Sequence, residues 1–215
     1  MIPWIQDNAS RVAGLAGLHL AIAVSATLIG LLVALILGSL TAHNRRLATM
    51  GTITAGIVFT IPSLTLFIFI PLILGTKILN PLNIVAALSI YAFALIYSGV
   101  VEALRDVNPE TKQAAEAMGI GPARRFFTIE LPLAIPVVSA TTRVAAVSSV
   151  SLVSVGALIG VGGLGDLFTE GFQRGYTIPI MWGIILSMLL AFAVDFAIVG
   201  VERLATPWTR NGAGK

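Results

Sequence analysis

The sequence predicts an all-α integral membrane protein of about five transmembrane helices, and three observations predict it. The 215 residues are 57% hydrophobic and only 11% charged, whereas a soluble domain carries about 25% charged residues. The apolar residues gather into five windows, each reaching the roughly 20 residues that a helix needs to cross hydrocarbon. Apart from Arg143, the basic residues stand at or beyond the ends of those windows. A chain of this composition cannot cover a water-facing surface, so lipid is its expected solvent.

The windows form one domain over residues 1–215. Span one, residues 18–42, is followed by Arg45 and Arg46. Its apolar run exceeds the core of a signal peptide, so it reads as a retained helix. Span two, 52–74, contains Pro62 and Pro71. Pro62 deletes a backbone hydrogen bond, which predicts a kink beside Thr60 and Ser63 and a freed carbonyl that needs a partner. Such a kink either lines a pathway or only packs. Span three, 84–104, carries Tyr91, Phe93 and Tyr97, with the last two on one helix face. Span four, 133–159, and span five, 178–204, complete the set. Residues 1–17 are mixed and suit either a short interfacial helix or an unordered start.

Charge sets the expected orientation. The connections after spans one, three and five hold nine Lys or Arg, and the opposite side holds Arg11, Lys77 and Arg174. Positive residues stay in the cytoplasm. The N-terminus is therefore expected outside and the C-terminus in the cytoplasm, with residues 108–132 as a cytoplasmic loop. In that loop Asn108-Pro109-Glu110 reads as a helix start. Ala114, Ala115 and Ala117 give a smooth surface, and Gly119 a stop. Gly121-Pro122 begins a second short helix expected to run through Ala123 to Glu130, and Pro132 predicts a break before span four. Two preformed helices with Phe126, Phe127 and Ile129 on an apolar side suit a rigid knuckle that docks in a partner's groove.

Two charged residues lie deep within the spans, away from their ends. Arg143, ten residues after Leu133, is expected roughly 15 Å into the bilayer, and it is the least favourable residue there to place in hydrocarbon. Asp195, eight residues before Arg203, lies at a similar depth, roughly 12 Å from the same face. These depths predict an intramembrane ion pair between spans four and five, structural in role.

Several classes are disfavoured. A net charge of +3 spread along the chain does not suit nucleic acid, and the absence of cysteine removes disulfides and thiolate metal sites. His19 and His43 are too far apart to suggest zinc. Gly160, Gly162 and Gly165 match the spacing of a dinucleotide loop, but the run follows a membrane span rather than a strand. It reads instead as a tight re-entrant turn, either an outer gate or docking rim or simple packing. A membrane enzyme would want a cluster of titratable groups in the bilayer. A secondary transporter would want several intramembrane ionisable residues in repeated halves.

The sequence resembles the permease subunits of bacterial ABC importers. Their loop pattern of E-A-A, three residues, G, nine residues, I, one residue, L-P is matched by Gln113-Ala114-Ala115, Gly119, Ile129 and Leu131-Pro132. Gln113 departs from the usual Glu, so an ionic role there is lost while hydrogen bonding remains. Thr60-Ile61-Pro62-Ser63-Leu64 resembles the T-I-P-S-L element of glycine betaine, carnitine and choline permeases. Gly160-Val161-Gly162-Gly163-Leu164-Gly165-Asp166 resembles their G-x-G-G-L-G-D element. Methionine-importer permeases, which also carry G-G-L-G, are the second reading.

The resemblance implies a type I importer permease fold and a non-catalytic subunit of an ATP-hydrolysing complex. The implied partners are an ATP-binding ABC subunit, a second permease subunit of the same or a related chain, an extracytoplasmic solute-binding protein, a small osmolyte and membrane lipid. No cofactor is implied for this chain. It has no Walker loop, and ATP and magnesium belong to the ATPase subunit. The implied coupling loop comprises Gln113, Ala114, Ala115, Glu116, Met118, Gly119, Ile120, Gly121, Pro122, Arg124 and Arg125. Candidates for the path or its gate are Thr60, Pro62, Ser63, Phe93, Tyr97, Gly162, Gly163 and Asp166. Phe93 and Tyr97, with Tyr91 on another face of the same helix, are the aromatic candidates because ring faces attract quaternary ammonium groups.

Overall fold

In a computed structural model, which describes residues 2–210, the chain is helical and has no strand among the described residues. Lys215, which contributes to the charge bias, lies outside them. A short α1 (Ile2–Asp7) leads into α2 (Ala9–Ala42), followed by α3 (Arg45–Thr60), α4 (Ser63–Leu74) and α5 (Pro81–Arg105). Then come α6 (Pro109–Ala117), α7 (Pro122–Arg125), α8 (Leu131–Val155), α9 (Asp166–Gln173) and α10 (Thr177–Ala205). Four helical segments are long and apolar enough to cross a membrane, and α3 with α4 makes five if that bent pair is one span.

Side chains start these helices where the backbone has unpaired donors. Asn44 accepts from the amides of Arg46 and Leu47 at 3.0 and 3.3 Å. Asn80 accepts from Leu82 at 3.0 Å, and Asn108 from Glu110 at 2.8 Å. In the last two, Pro81 and Pro109 occupy the first helical position, where no donor is needed.

Helix α5 is the axle of the bundle, with two thirds of its most apolar stretch buried, against 6% for α10. It packs on α2, α3, α4 and α8. Between lipid-embedded helices little hydrophobic force is available, so close backbone approach must supply the contact energy. Helix α2 provides it with a buried seam of Ala26, Gly30, Ala34, Gly38 and Ala42, one small residue per turn. A Cβ added at Gly30 would stand 2.6 Å from Ala92 Cβ and 2.7 Å from the Phe93 amide nitrogen. Gly51 on α3 leaves room for the ring of Tyr97, whose hydroxyl shares a hydrogen bond of 2.7 Å with Thr41.

The structure departs from the sequence reading at two prolines. Span two, expected as one kinked helix, is broken into α3 and α4, bent by 101°. Ile61 and Pro62 are both extended, with ψ of 129° and 133°. The proline ring excludes helical backbone from the residue before it, so the break takes in Ile61 as well. At Pro132 the expected break is missing. Residues 122–159 are continuously helical, and the second short helix ends at Arg125 in a π turn, Phe126–Glu130. The Leu131 amide there reaches back to the Phe126 carbonyl. This wider turn runs directly into α8, and it is where the helix takes in Pro132 without breaking.

Gly30→Val should wedge α2 from α5, destabilising the protein by about 1–3 kcal/mol. Gly56 has open space around it, and Gly56→Ala should be neutral or stabilising by up to about 1 kcal/mol. Thermal unfolding in detergent compares the two variants with the wild type.

Candidate translocation cleft and coupling surface

The break between α3 and α4 opens a cleft of about 440 Å³ bounded by α5 and α8. Its α3–α4 wall is Phe59, Thr60, Ile61, Pro62 and Ser63, and its α8 wall includes Ser148, Ser149 and Ser151. Hydrocarbon offers no partner to the carbonyl exposed by the break. Tyr91 of α5 supplies one, donating its hydroxyl to the Ile61 carbonyl oxygen. The Tyr91 ring is buried and meets the exposed Phe59 ring edge to face, with centroids 5.8 Å apart. Thr60 returns its own hydroxyl to the Ile57 carbonyl at 2.7 Å. Among the described residues, no Asp, Glu, Lys or Arg lines the cleft. It combines an aromatic face, several hydroxyls and no formal charge.

Thr60, Pro62 and Ser63 are thus brought together on the cleft wall. Phe93 and Tyr97 are not. Their rings pack on each other, 5.4 Å apart, and Tyr97 is only 2% exposed within the α2–α3–α5 core. Their spacing does place them on one face, but that face points toward α2 and α3. Tyr91, the third aromatic candidate of span three, does reach the cleft, and Phe59, Ser148, Ser149 and Ser151 are among the cleft residues the sequence reading did not select. The available signal was the serine spacing on α8, where Ser148, Ser151 and Ser154 recur every third residue of an apolar helix.

Gly162 and Gly163 lie away from the cleft, in the buried turn between α8 and α9, and Asp166 opens α9. Gly163 has φ +51° and sits against His19 of α2. His19 is fully buried. Its Nδ1 accepts from the Leu164 amide at 3.2 Å, and its Nε2 lies 2.8 Å from the Val150 carbonyl. That pair of partners requires a neutral ring protonated on Nε2. The histidine therefore pins the glycine turn to α2 and α8. Burial raises the pKa of Asp166, opposed by a Gly162 amide and by the charge of Arg11. Glu170 on α9 is lowered, chiefly by its hydrogen bond from Arg11, which ties the start of α2 to this region.

Arg143 and Asp195 are joined by a two-pronged ion pair. Arg143 Nε donates to Asp195 Oδ1 at 2.6 Å, and Nη2 to Oδ2 at 2.8 Å. One turn further along the α8–α10 seam, Ser139 donates to Glu202 at 2.6 Å. Outside these polar ties α10 is largely exposed, so they fix its register against α8.

At the loop end of the bundle, α6 and α7 form a compact knuckle. Gly119, at φ +74°, ends α6, and the Ile120 amide bonds back to the Ala115 carbonyl at 3.0 Å. Gln113, Ala114, Glu116, Met118, Gly119, Gly121, Pro122 and Arg124 are exposed, Ile120 is half-buried and Ala115 is buried. Met118 is 70% exposed, which leaves an apolar tip on a smooth alanine surface. Arg125 turns inward instead, to Glu130 at 2.7 Å and to Glu116. Its bonds to Glu130 and then Glu116 hold its pKa above the ordinary arginine value.

Tyr91→Phe removes the partner of the Ile61 carbonyl and keeps the ring. It should destabilise the protein by about 1–3 kcal/mol. Thermal unfolding measures this, and hydrogen exchange should localise the loss to residues 59–66.

Residues 27–205 match the family described as binding-protein-dependent transport system inner membrane component. The choline transport system permease protein OpuBB of Bacillus subtilis (strain 168) is 28% identical over 96% of this chain and 94% of its own length. The osmoprotectant import permease protein OsmW of Salmonella typhimurium (strain LT2) is 30% identical over 96% of this chain and 97% of its own. A chain from inward-facing conformations of the MetNI methionine ABC transporter shares the fold, with TM-score 0.78 and 24% identity, covering 91% of this chain and 95% of that one. The chain belongs to the family of binding-protein-dependent transport system inner membrane components.

Proposed function

We propose that the chain is the permease subunit of an ATP-driven bacterial importer of osmoprotectants such as glycine betaine, carnitine, choline or proline betaine. It sits in the cell membrane with its N-terminus outside and its C-terminus and the 108–132 loop in the cytoplasm. The long helices and the broken α3–α4 pair serve as its five spans. A second permease subunit, identical or related, completes the path. An extracytoplasmic binding protein delivers the solute, and an ATPase subunit receives the α6–α7 knuckle.

The uncharged cleft carries this reading. A quaternary ammonium has no N–H to donate, and its diffuse charge is attracted to an aromatic face. Phe59 offers such a face beside the hydroxyls of Ser63, Ser148 and Ser151. A primary ammonium, such as that of methionine, needs hydrogen-bond acceptors for three N–H groups and gains most from a carboxylate, which the cleft lacks. The names of the curated relatives, which include a choline and an osmoprotectant permease, support the same solute class.

In this mechanism ATP binding closes the ATPase pair, and the knuckles seated on it move together. The spans rock and the cleft changes the side to which it opens. Solute released by the binding protein enters, and hydrolysis resets the gate. The path contributes passage rather than tight capture, because a site that held its cargo strongly would slow release.

Uptake of radiolabelled glycine betaine, choline, carnitine and methionine by vesicles containing the complete transporter tests the proposal. The quaternary amines should be imported in an ATP-dependent manner, and Phe59→Leu should slow their import at saturating solute by about 2- to 5-fold. ATP-dependent import of methionine alone would contradict it.

A further inference from the structure

Glu130 is a buried carboxylate that coupling-loop chemistry does not by itself explain. It is 1% exposed, at the last position of the π turn that joins the knuckle to α8. Burying a carboxylate is unfavourable unless it is paired. A π turn is also an unfavourable way to continue a helix, and such turns concentrate at functional positions. Both features meet at this residue.

Its partners come from separate elements. Arg125 Nε donates to Glu130 Oε1 at 2.7 Å, while Nη1 of the same guanidinium donates to Glu116 on α6. His43, in the turn between α2 and α3, places Nε2 3.3 Å from Glu130 Oε2, an oxygen with no hydrogen-bond partner among the described residues. Lys112 ties α6 back to the end of α5 through the Leu104 carbonyl at 3.1 Å. Gln113 leaves α6 without a charge at that position of the family pattern, and Glu116, almost one turn on, forms the ionic tie.

We propose that Glu130 is a positioning residue that fastens the α6–α7 knuckle to the base of α8 and to the α2–α3 turn. A displacement of α6 is then delivered into the transmembrane bundle instead of being absorbed at the Gly121-Pro122 joint. The proposal rests on the coupling role assigned above. It adds that a site behind the docking surface, and not the docking surface alone, determines how much motion arrives. Arg125 is the pin, with one end on α6 and the other on the carboxylate.

The test compares Glu130→Ala, Glu130→Gln and the double variant R125M/E130L with the wild type, each co-expressed with its ATPase subunit. Replacing a buried ion pair by apolar residues of similar volume preserves stability while removing the tie, so the double variant separates coupling from folding. All variants should retain the ATPase subunit on purification and hydrolyse ATP. Glycine betaine imported per ATP hydrolysed should fall about 2- to 30-fold in E130A and in the double variant. Glu130→Gln, which still accepts from Arg125, should remain closer to the wild type.

Hydrogen exchange in the isolated permease gives a second readout that needs no transport. Residues 109–125 should exchange faster in E130A and in the double variant than in the wild type. Wild-type import per ATP in the double variant, loss of the ATPase subunit from it, or unchanged exchange would each overturn the proposal. A wild-type complex that imports no quaternary amine contradicts the proposed function instead, and leaves the exchange result to decide this one.

Discussion

The bond from the Tyr91 hydroxyl to the Ile61 carbonyl is the interaction on which the cleft depends. A helix pair bent by 101° exposes backbone that water would satisfy and hydrocarbon cannot. With that carbonyl capped from α5, the break becomes a fixed feature. Ser63 can then start a new helix in a new direction, and Phe59 and the α8 hydroxyls face a common space. A membrane protein has few places where irregular backbone is tolerable, so this one is informative. Two other irregular places have their own devices: His19 for the glycine turn, and the π turn for Pro132.

Rigidity elsewhere complements that local irregularity. The small-residue seam of α2 against α5 brings two backbones close enough to act as one body. The Arg143–Asp195 fork and the Ser139–Glu202 bond hold α10 against α8 at two levels. Polar contacts between helices in lipid are individually modest, and their value here is register rather than strength. A bundle fixed in this way can be rocked by force applied at its base without melting.

Much of this was legible in the sequence, for physical reasons that also mark where legibility ended. Helix starts at Asn108 and the stop at Gly119 depend on local capping, so local residues encode them. The proximity of Arg143 and Asp195 follows from depth along two helices of known rise. The contents of the cleft were harder to read. Phe93 and Tyr97 share a helix face, but only tertiary packing decides that this face meets α2 and α3 while Tyr91 meets the cleft. Pro132 misled because a proline can be absorbed by widening the turn before it, and no local rule distinguishes that from a break. The α2 seam repeats every fourth residue in plain sight, yet alanine and glycine in an apolar run acquire meaning only when a partner helix is known.

The central claim is that the 113–122 knuckle faces an ATPase subunit in the cytoplasm and drives the bundle. The chain contains no cysteine, so Ala117→Cys provides a single reactive thiol on the exposed side of α6. In intact cells this thiol should be shielded from membrane-impermeant reagents, and in the purified complex a short bifunctional reagent should cross-link it to the ATPase subunit in an ATP-sensitive manner. Labelling from outside the cell, or absence of any cross-link to that subunit in a complex that still imports its solute, would contradict the account.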